Sequence, residues 1–492
     1  MAPNVEISDV NVMKIFYPWP LIVLTFFCSL VADSINYYFN SYLPECIHAL
    51  GVGWDSVGYE VGVINSIIKV GYTLGNIAAG AAMIKWGVQK THLVFFGLHG
   101  ISVLSIAFCD SIIYLRIAVA FVGFFTSSFL VNRTLITKFS EEDNRHDIAI
   151  WCYSSPALLA TCLGPCLAGF LENPTKQYPD IFEKDSFLGR HPIFLINIVF
   201  GIIVVIITIL ATIIIPKDEE MKNHLLKKRR LFYEKRSPDK EYAFLINDIG
   251  YNDGASQENE LESKTSKKVE PGRWTRVFYY HILRNPAAIA GILLFCGYGR
   301  VPRDGYLVLW PLWLETPISH QGIGLSTKQV SIIYLISGAA IFLISSTILQ
   351  KFYNSFTWKQ CTSICTLSLV LLLTLMPKIY LIKDRAWFMA AFTLLNVMIM
   401  TMIVVIMAAI QIFLQNSVPD HSISLLLCVN QCIGSISSSA YIPSITGLFT
   451  WSTAKAFDES NFPFDYRFVF YVMAFLTLVC YIPLAWVKER ST

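Results

Sequence analysis

A chain of 492 residues with 54% apolar and only 15% charged residues is not an ordinary soluble protein, since globular chains carry about 25% charge. A net charge of +3 is too small to point to nucleic acid, and no basic or aromatic binding module interrupts the apolar runs. The chain has no Gly-rich phosphate loop ending in Lys-Ser or Lys-Thr, which argues against ATP-driven work. It also has no nucleophile or metal motif with supporting context, so neither an enzyme nor a cofactor is expected.

Apolar stretches of membrane-spanning length, about 20 residues or more, fall near 16–43, 58–84, 91–109, 112–137, 148–170, 192–215, 286–314, 328–349, 358–377, 386–414, 421–448 and 467–487. A polar segment from Lys217 to Arg276 divides them into two sets of six. This layout predicts an all-α membrane protein with twelve transmembrane helices in two pseudo-symmetric six-helix bundles. The bundles comprise residues 1–215 and 283–492, joined by a mostly disordered cytosolic loop, 216–282. Two such halves are the sequence form of a two-lobed rocking transporter. The polar stretch Met1 to Lys14 is short and no small-residue cleavage site follows the first apolar run, so that run reads as a retained anchor.

Lys14, Lys85, Lys90, Lys138, Arg145, Lys351, Lys359, Lys488 and Arg490 fall on one side of the bilayer, together with the central loop. The first loop on the other side, Pro44 to Val57, carries Glu45 and Asp55 and no Lys or Arg. The positive-inside tendency puts both termini in the cytosol, although Lys378, Lys383 and Arg385 run against it. The central loop mixes a basic run at 227–230 with Glu258, Glu260 and Glu262 and has few large apolar residues. That composition predicts disorder. The basic run reads as a solvated tether, or as a strip lying on anionic headgroups. Glu241 to Ile246 fits short patterns read by sorting adaptors, which points to an endolysosomal or vacuolar membrane, with the plasma membrane as the other option. Asn132-Arg133-Thr134 matches a glycosylation triplet but falls on the cytosolic side, so no glycan is expected there. Most of the 12 cysteines lie in apolar runs. The pairs Cys162/Cys166, Cys361/Cys365 and Cys428/Cys432 share helix faces without a histidine at ligand spacing, so they read as packing and not as zinc or disulfide sites.

Ionisable groups within a span are costly, about 2.5–3.5 kcal/mol each, and are functional candidates by default. Asp33 in helix one and Lys69 in helix two each lie about ten residues from the outer end, roughly 15–17 Å down. Equal depth predicts that they pair. Protonating Asp33 would then strand a buried Lys69 and drive the lobe to another conformation, a route from a proton gradient to alternating access. Helix seven carries Arg300, Arg303 and Asp304 in the run Gly297 to Gly305. Its glycines and Pro302 predict a broken helix lining a cavity. Asp33, Lys69 and Asp304 are the candidate proton-coupling groups, and Arg300 and Arg303 are candidates for binding the solute. Asn36, Asn40, Asn65, Tyr72, Asn396, Asn430 and Gln431 would hydrogen-bond either a solute or a neighbouring helix. Arg116 lies only about four residues inside helix four and reads as a snorkelling side chain or a site residue. Gly71, Gly75 and Gly97 fit close helix approach, and His99 reads as a buried, hydrogen-bonded residue.

Helix two and the loop after it carry Gly62, Ser66, Gly71, Gly80 and Gly87; helix five carries Gly164-Pro165-Cys166-Leu167-Ala168-Gly169. Next comes Asn173-Pro174, Tyr178-Pro179, Phe182, Ser186, Gly189-Arg190 and Pro192, and later Leu309-Trp310-Pro311-Leu312-Trp313 with Gly324-Leu325-Ser326-Thr327. On these residues most of the chain resembles the major facilitator superfamily, and within it the zinc-induced-facilitator-like branch. The resemblance implies alternating access by two bundles, with Gly164 and Pro165 in a helix-five antiporter motif and Gly80, Lys85 and Gly87 in a gating loop. That loop departs from the family pattern: Ile84 and Val88 stand where a carboxylate and a final arginine are usual. Tyr72 replaces the branch's helix-two arginine, Cys46 stands alone, and Arg116 sits one turn early for the helix-four arginine.

Together these features predict a secondary active transporter of a small organic solute, a proton-coupled antiporter embedded in the lipid bilayer. The alternatives are a transporter-like sensor or scaffold acting through the central loop, and a passive uniporter.

Overall fold

The computed structural model describes residues 19–139, 155–183, 185–217, 282–347, 355–418, 420–454 and 464–486. Twelve helical rods account for nearly all of them. The first six are α1 (Trp19–Ala49), α2 (Trp54–Trp86), α3 (Val88–Ile106), α4 (Ile112–Phe125 and Ser128–Phe139), α5 (Ser155–Leu171) and α6 (Phe194–Ile214). The second six begin with α7, which runs as Pro286–Tyr298, a π turn Gly299–Gly305 and Tyr306–Glu315. They continue with α8 (Thr327–Thr347), α9 (Trp358–Leu375), α10 (Arg385–Asn416), α11 (Asp420–Thr453) and α12 (Tyr466–Val479 and Ile482–Trp486). The fold is the expected all-α arrangement of two six-helix bundles. The segment 218–281, with its basic run and the 241–246 pattern, lies outside the described residues.

Side chains close the orphan amide groups at several helix starts. Ser111 accepts from the Tyr114 amide to start α4, and Asn285 accepts from Ala287 and Ala288 ahead of Pro286 in α7. Thr357 and Gln360 form a reciprocal capping box on α9, and Asp384 and Asp465 cap α10 and α12. Eight described helices are long and apolar enough to cross a membrane. α5 stays helical through the Gly-Pro step at Pro165. Gly164 serves close approach: a Cβ there would meet the Ser34 main chain of α1, with the Ser34 oxygen at 2.5 Å.

The two lobes meet through α2 against α11 and α5 against α8. Small residues make the approach possible. Gly62 of α2 faces Thr446 and Pro443 of α11, and Gly58 faces Thr450. Gly169 of α5 faces Ser331 of α8, and the Ser66 hydroxyl donates to the Ser439 carbonyl at 2.5 Å. The Asp55 carboxylate meets the His320 ring across the lobes at 3.1 Å. These contacts lie toward the face that carries the short α1–α2 loop, residues 50–53. Toward the opposite end of α2, Gly80 has open space where a Cβ would stand, and Lys85 is exposed. Gly87 then makes the tight turn into α3 at φ +85°, a conformation that favours glycine. The lobes are thus sealed together on the 50–53 face.

Two glycine substitutions should separate folding from conformation. Gly164→Val drives a side chain into α1 of the same lobe, so it should destabilise the chain by about 1–3 kcal/mol, read as a lower melting temperature in detergent. Gly62→Val strikes the other lobe, so it should leave the melting temperature nearly unchanged while exposing a cysteine introduced beside it in α2, as in Ser66→Cys, to thiol reagents.

Candidate functional site

The charges of the two lobes converge on the π turn of α7. Pro302 supplies no amide and its ring would clash with the carbonyl one turn earlier, so the helix widens instead of continuing as α. The predicted break is therefore a continuous π turn: an i→i+5 winding keeps the chain helical through the Pro and Gly residues. Arg300 and Asp304, four residues apart and both buried, lie on one face of this turn and form an ion pair. Ser438 of α11 donates to Asp304 at 2.5 Å, and Arg300 donates to Ser438 at 3.0 Å. Gly434 lies flat beneath the guanidinium, where a Cβ would come within 2.7 Å. The Arg300 Nε is buried and has no hydrogen-bond partner in the structure.

From the first lobe, Lys69 lies within electrostatic reach of Asp304, Arg300 and Arg303. Asp33 lies within reach of Arg133 and Arg303. Tyr37 places its hydroxyl beside Arg303. No ion pair joins Asp33 to Lys69, which corrects the expected pairing. Equal depth leaves a side chain's azimuth open, because each residue turns a helix by about 100°. Lys69 finds its carboxylate across the lobes and Asp33 finds its cations elsewhere. Among the described residues, Lys69, Arg133, Arg300 and Arg303 lie within reach of Asp33 and Asp304 at the lobe junction, an excess of two positive charges.

A cavity of about 50 Å³ adjoins Lys69 inside the first lobe, lined also by Asn36, Asn40 and Asn65. Organic ligand sites run to roughly 300–1,000 Å³, so this void suits a few waters. Asn36 and Asn65 donate to Ala32 and Val61 of their own helices, at 3.2 and 3.0 Å. The Asn40 carbonyl oxygen is buried without a partner. Tyr72 is half-buried within reach of Arg133. Asn396 is committed to structure: it accepts from Tyr306 at 2.8 Å and donates to Ser337 at 3.0 Å, tying α7, α8 and α10 together. Asn430 is buried with an unpartnered carbonyl oxygen, and Gln431 is half-buried. Arg116 sends both contacts to the Glu60 carboxylate at 2.7 Å, a pair between α4 and α2. His99 is buried as expected, but neither ring nitrogen has a partner. It packs in α3 with no polar side chain aimed at it, which corrects the hydrogen-bonded reading. Asn132 is buried and donates to Thr25 and Ser29, so the glycosylation triplet is a packing element.

Three contributors escaped sequence reading. Ser438 belongs to a serine run, Ser435 and Ser437 to Ser439, whose polar stripe on an otherwise apolar helix was the available signal. Arg133 was seen only inside the glycosylation triplet. Tyr37 looks like an ordinary aromatic in a span. Among the described residues no group of three or more His, Cys, Asp or Glu is placed to hold a metal.

Residues 23–443 match the family model of the Major Facilitator Superfamily. Among curated proteins, zinc induced facilitator 1 of Arabidopsis thaliana is 23% identical over 356 residues, which covers 69% of this chain and 66% of that protein. Zinc induced facilitator-like 1 of the same plant is 22% identical over 292 residues, 59% and 54% of the two chains. The alignments thus span less than two thirds of these relatives' lengths. Among solved structures, a D-xylose-proton symporter superposes with a TM-score of 0.61 at 11% identity, covering 98% of each chain. The human organic anion transporter MFSD10 gives 0.57 at 13% identity, covering 95% of this chain and 99% of the other.

A double-mutant cycle by thermal denaturation tests the pairing. Lys69→Met and Asp304→Asn should couple by about 0.5–3 kcal/mol, whereas Lys69→Met and Asp33→Asn should be additive. Asp304→Asn alone should be the more damaging single change, about 3–5 kcal/mol, because it strands buried Arg300.

Proposed function

The chain belongs to the Major Facilitator Superfamily, a family of membrane transporters, and from that premise we propose that it carries a small organic anion across the bilayer by alternating access, together with protons. The observation that carries this reading is the charge network at the lobe junction: Asp304 held by Arg300 and Ser438, with Lys69 of the other lobe in its field. The excess positive charge and the unpartnered Arg300 Nε favour a solute with a carboxylate or similar group, which a guanidinium binds with directional, charge-assisted hydrogen bonds.

Coupling follows from the cost of an unpaired charge at this depth. Arg303 stands between Asp33 and Asp304. Protonating Asp33 releases Arg303 to the solute's carboxylate, so the Asp33 carboxylate and the anion compete for one cation, and a proton on Asp33 favours the bound anion. Proton and anion therefore load together and leave together, the linkage of a symporter, in place of the antiport expected from the sequence. The seal on the 50–53 face makes this conformer the one that faces the opposite side, where the Lys and Arg bias puts the termini and the 218–281 segment. We take that side as cytosolic.

Uptake into sealed vesicles with an imposed pH gradient is the test. A small organic anion should accumulate several-fold when the gradient is present and fall to equilibrium when it is collapsed. Asp33→Asn should lose the gradient-driven accumulation yet keep solute-for-solute exchange. Flux indifferent to the gradient in the native chain would reject proton coupling.

A further inference from the structure

A second group of ionisable residues lies on the sealed face, apart from the lobe-junction charges. Glu45 near the end of α1, Glu172 just beyond α5 and Glu315 at the end of α7 come together there. The first two belong to one lobe and the third to the other, so the cluster exists only while the lobes are closed on this face. Glu172 and Glu315 are both buried, 3% and 4% exposed. Glu45 has a cation, Lys176, at 2.8 Å. Glu315 has none. Thr327 of α8 and the main chain at Glu45 are its polar neighbours, yet neither Glu315 carboxyl oxygen completes a hydrogen bond. Tyr334 of α8 supplies the independent observation: it is 4% exposed, its hydroxyl has no partner, and it lies within the field of Glu315.

We propose that Glu172 and Glu315 form a proton-binding site that locks the 50–53 face: a proton taken up by the pair is what allows the lobes to close there. Two carboxylates cannot be pressed together away from water while both are charged. With a proton on one of them the pair becomes donor and acceptor. Tyr334, which also lies within reach of Tyr37 beside Arg303, continues the line of polar groups from this face toward the lobe junction. The inference rests on the alternating-access reading but not on the identity of the solute or on Asp33.

Burial, with the Glu45 charge adding to it, pushes the Glu172 carboxyl up to about 8 in the closed form. Once the face opens to water the carboxyl returns toward its ordinary value of 4.5. The closed form therefore binds the proton more tightly. Closure is favoured at low pH and is lost as pH rises toward 8, with a closed-to-open ratio that falls by up to tenfold per pH unit for one proton. Charged and titratable groups near this pair include Lys176, Lys328 over the Phe170 ring, Asp55 and His320. His320 is itself titratable, so it is removed from the test.

Nitroxide labels at Tyr59→Cys and Trp451→Cys, both exposed near the ends of α2 and α11 on this face, report its opening by pulsed electron paramagnetic resonance. The protein is reconstituted in a His320→Gln background lacking accessible native cysteines. The short-distance population should fall at least tenfold relative to the long one between pH 5.5 and 8.5. Glu315→Gln, which mimics the protonated acid, should stay closed across that range, and Glu172→Gln should flatten the response. Asp33→Asn should leave the titration intact, so failure of the central coupling and failure of this gate are separately readable. Melting temperature gives a second readout: Glu315→Gln should raise it at pH 8 and leave it unchanged at pH 5.5. A distance distribution independent of pH, or a full titration surviving in both glutamine variants, overturns the proposal.

Discussion

The buried ion pair of Arg300 and Asp304, within the π turn of α7, is the constraint on which the other assignments depend. A carboxylate at mid-span has to be compensated, and Arg300 and Ser438 do so within the second lobe. Because that compensation is internal, Asp304 remains a fixed negative point when the lobes move. Lys69 and Arg303 can then exchange partners around it without leaving any charge bare. The π turn accommodates Pro302 within α7 and keeps the two side chains, four residues apart, on one face. Gly434, which leaves room for the Arg300 guanidinium, is the matching concession on α11.

The seam between the lobes follows a different physical rule. It is built from glycines and hydroxyls, Gly58, Gly62 and Gly169 against Thr450, Thr446 and Ser331, with few large side chains interlocked. Small residues let helix backbones approach closely, and in lipid such contacts gain van der Waals energy without a hydrophobic penalty for separating. A surface of this kind can open and close repeatedly. The aromatic packing around Trp310 and Trp313, against Tyr334, Phe392, Tyr466 and Phe470, sits instead within the second lobe and holds it as a body. Rigid bundles with a low-friction seam are what rocking motion requires.

Much of this was legible in the amino-acid sequence, and the parts that were not share a cause. The apolar runs located the helices among the described residues, with ends off by as much as six residues, because span length is a one-dimensional property. Arg300, Arg303 and Asp304 stood out for the same reason: charge within an apolar run is visible along a line. Azimuth is not. Asp33 and Lys69 sit at matching depth but turn to different partners, and only the packed bundles show that Lys69 looks across to Asp304. Asn396 was a fair candidate for a solute contact until Tyr306 and Ser337 were seen to occupy it. Glu172 and Glu315 drew no notice because carboxylates at helix ends are ordinarily wet, and it is closure of the lobes that buries them.

The account turns on charges that part company when the lobes do. A cryo-electron microscopy structure of the chain with its 50–53 face open would decide the matter most directly. It should show Arg300 and Ser438 still on Asp304 while Lys69 has withdrawn with its lobe and turned to another counter-charge or to water. Lys69 still facing Asp304 after the lobes have separated would contradict the account, because the network would then be a static brace and not part of the transport cycle.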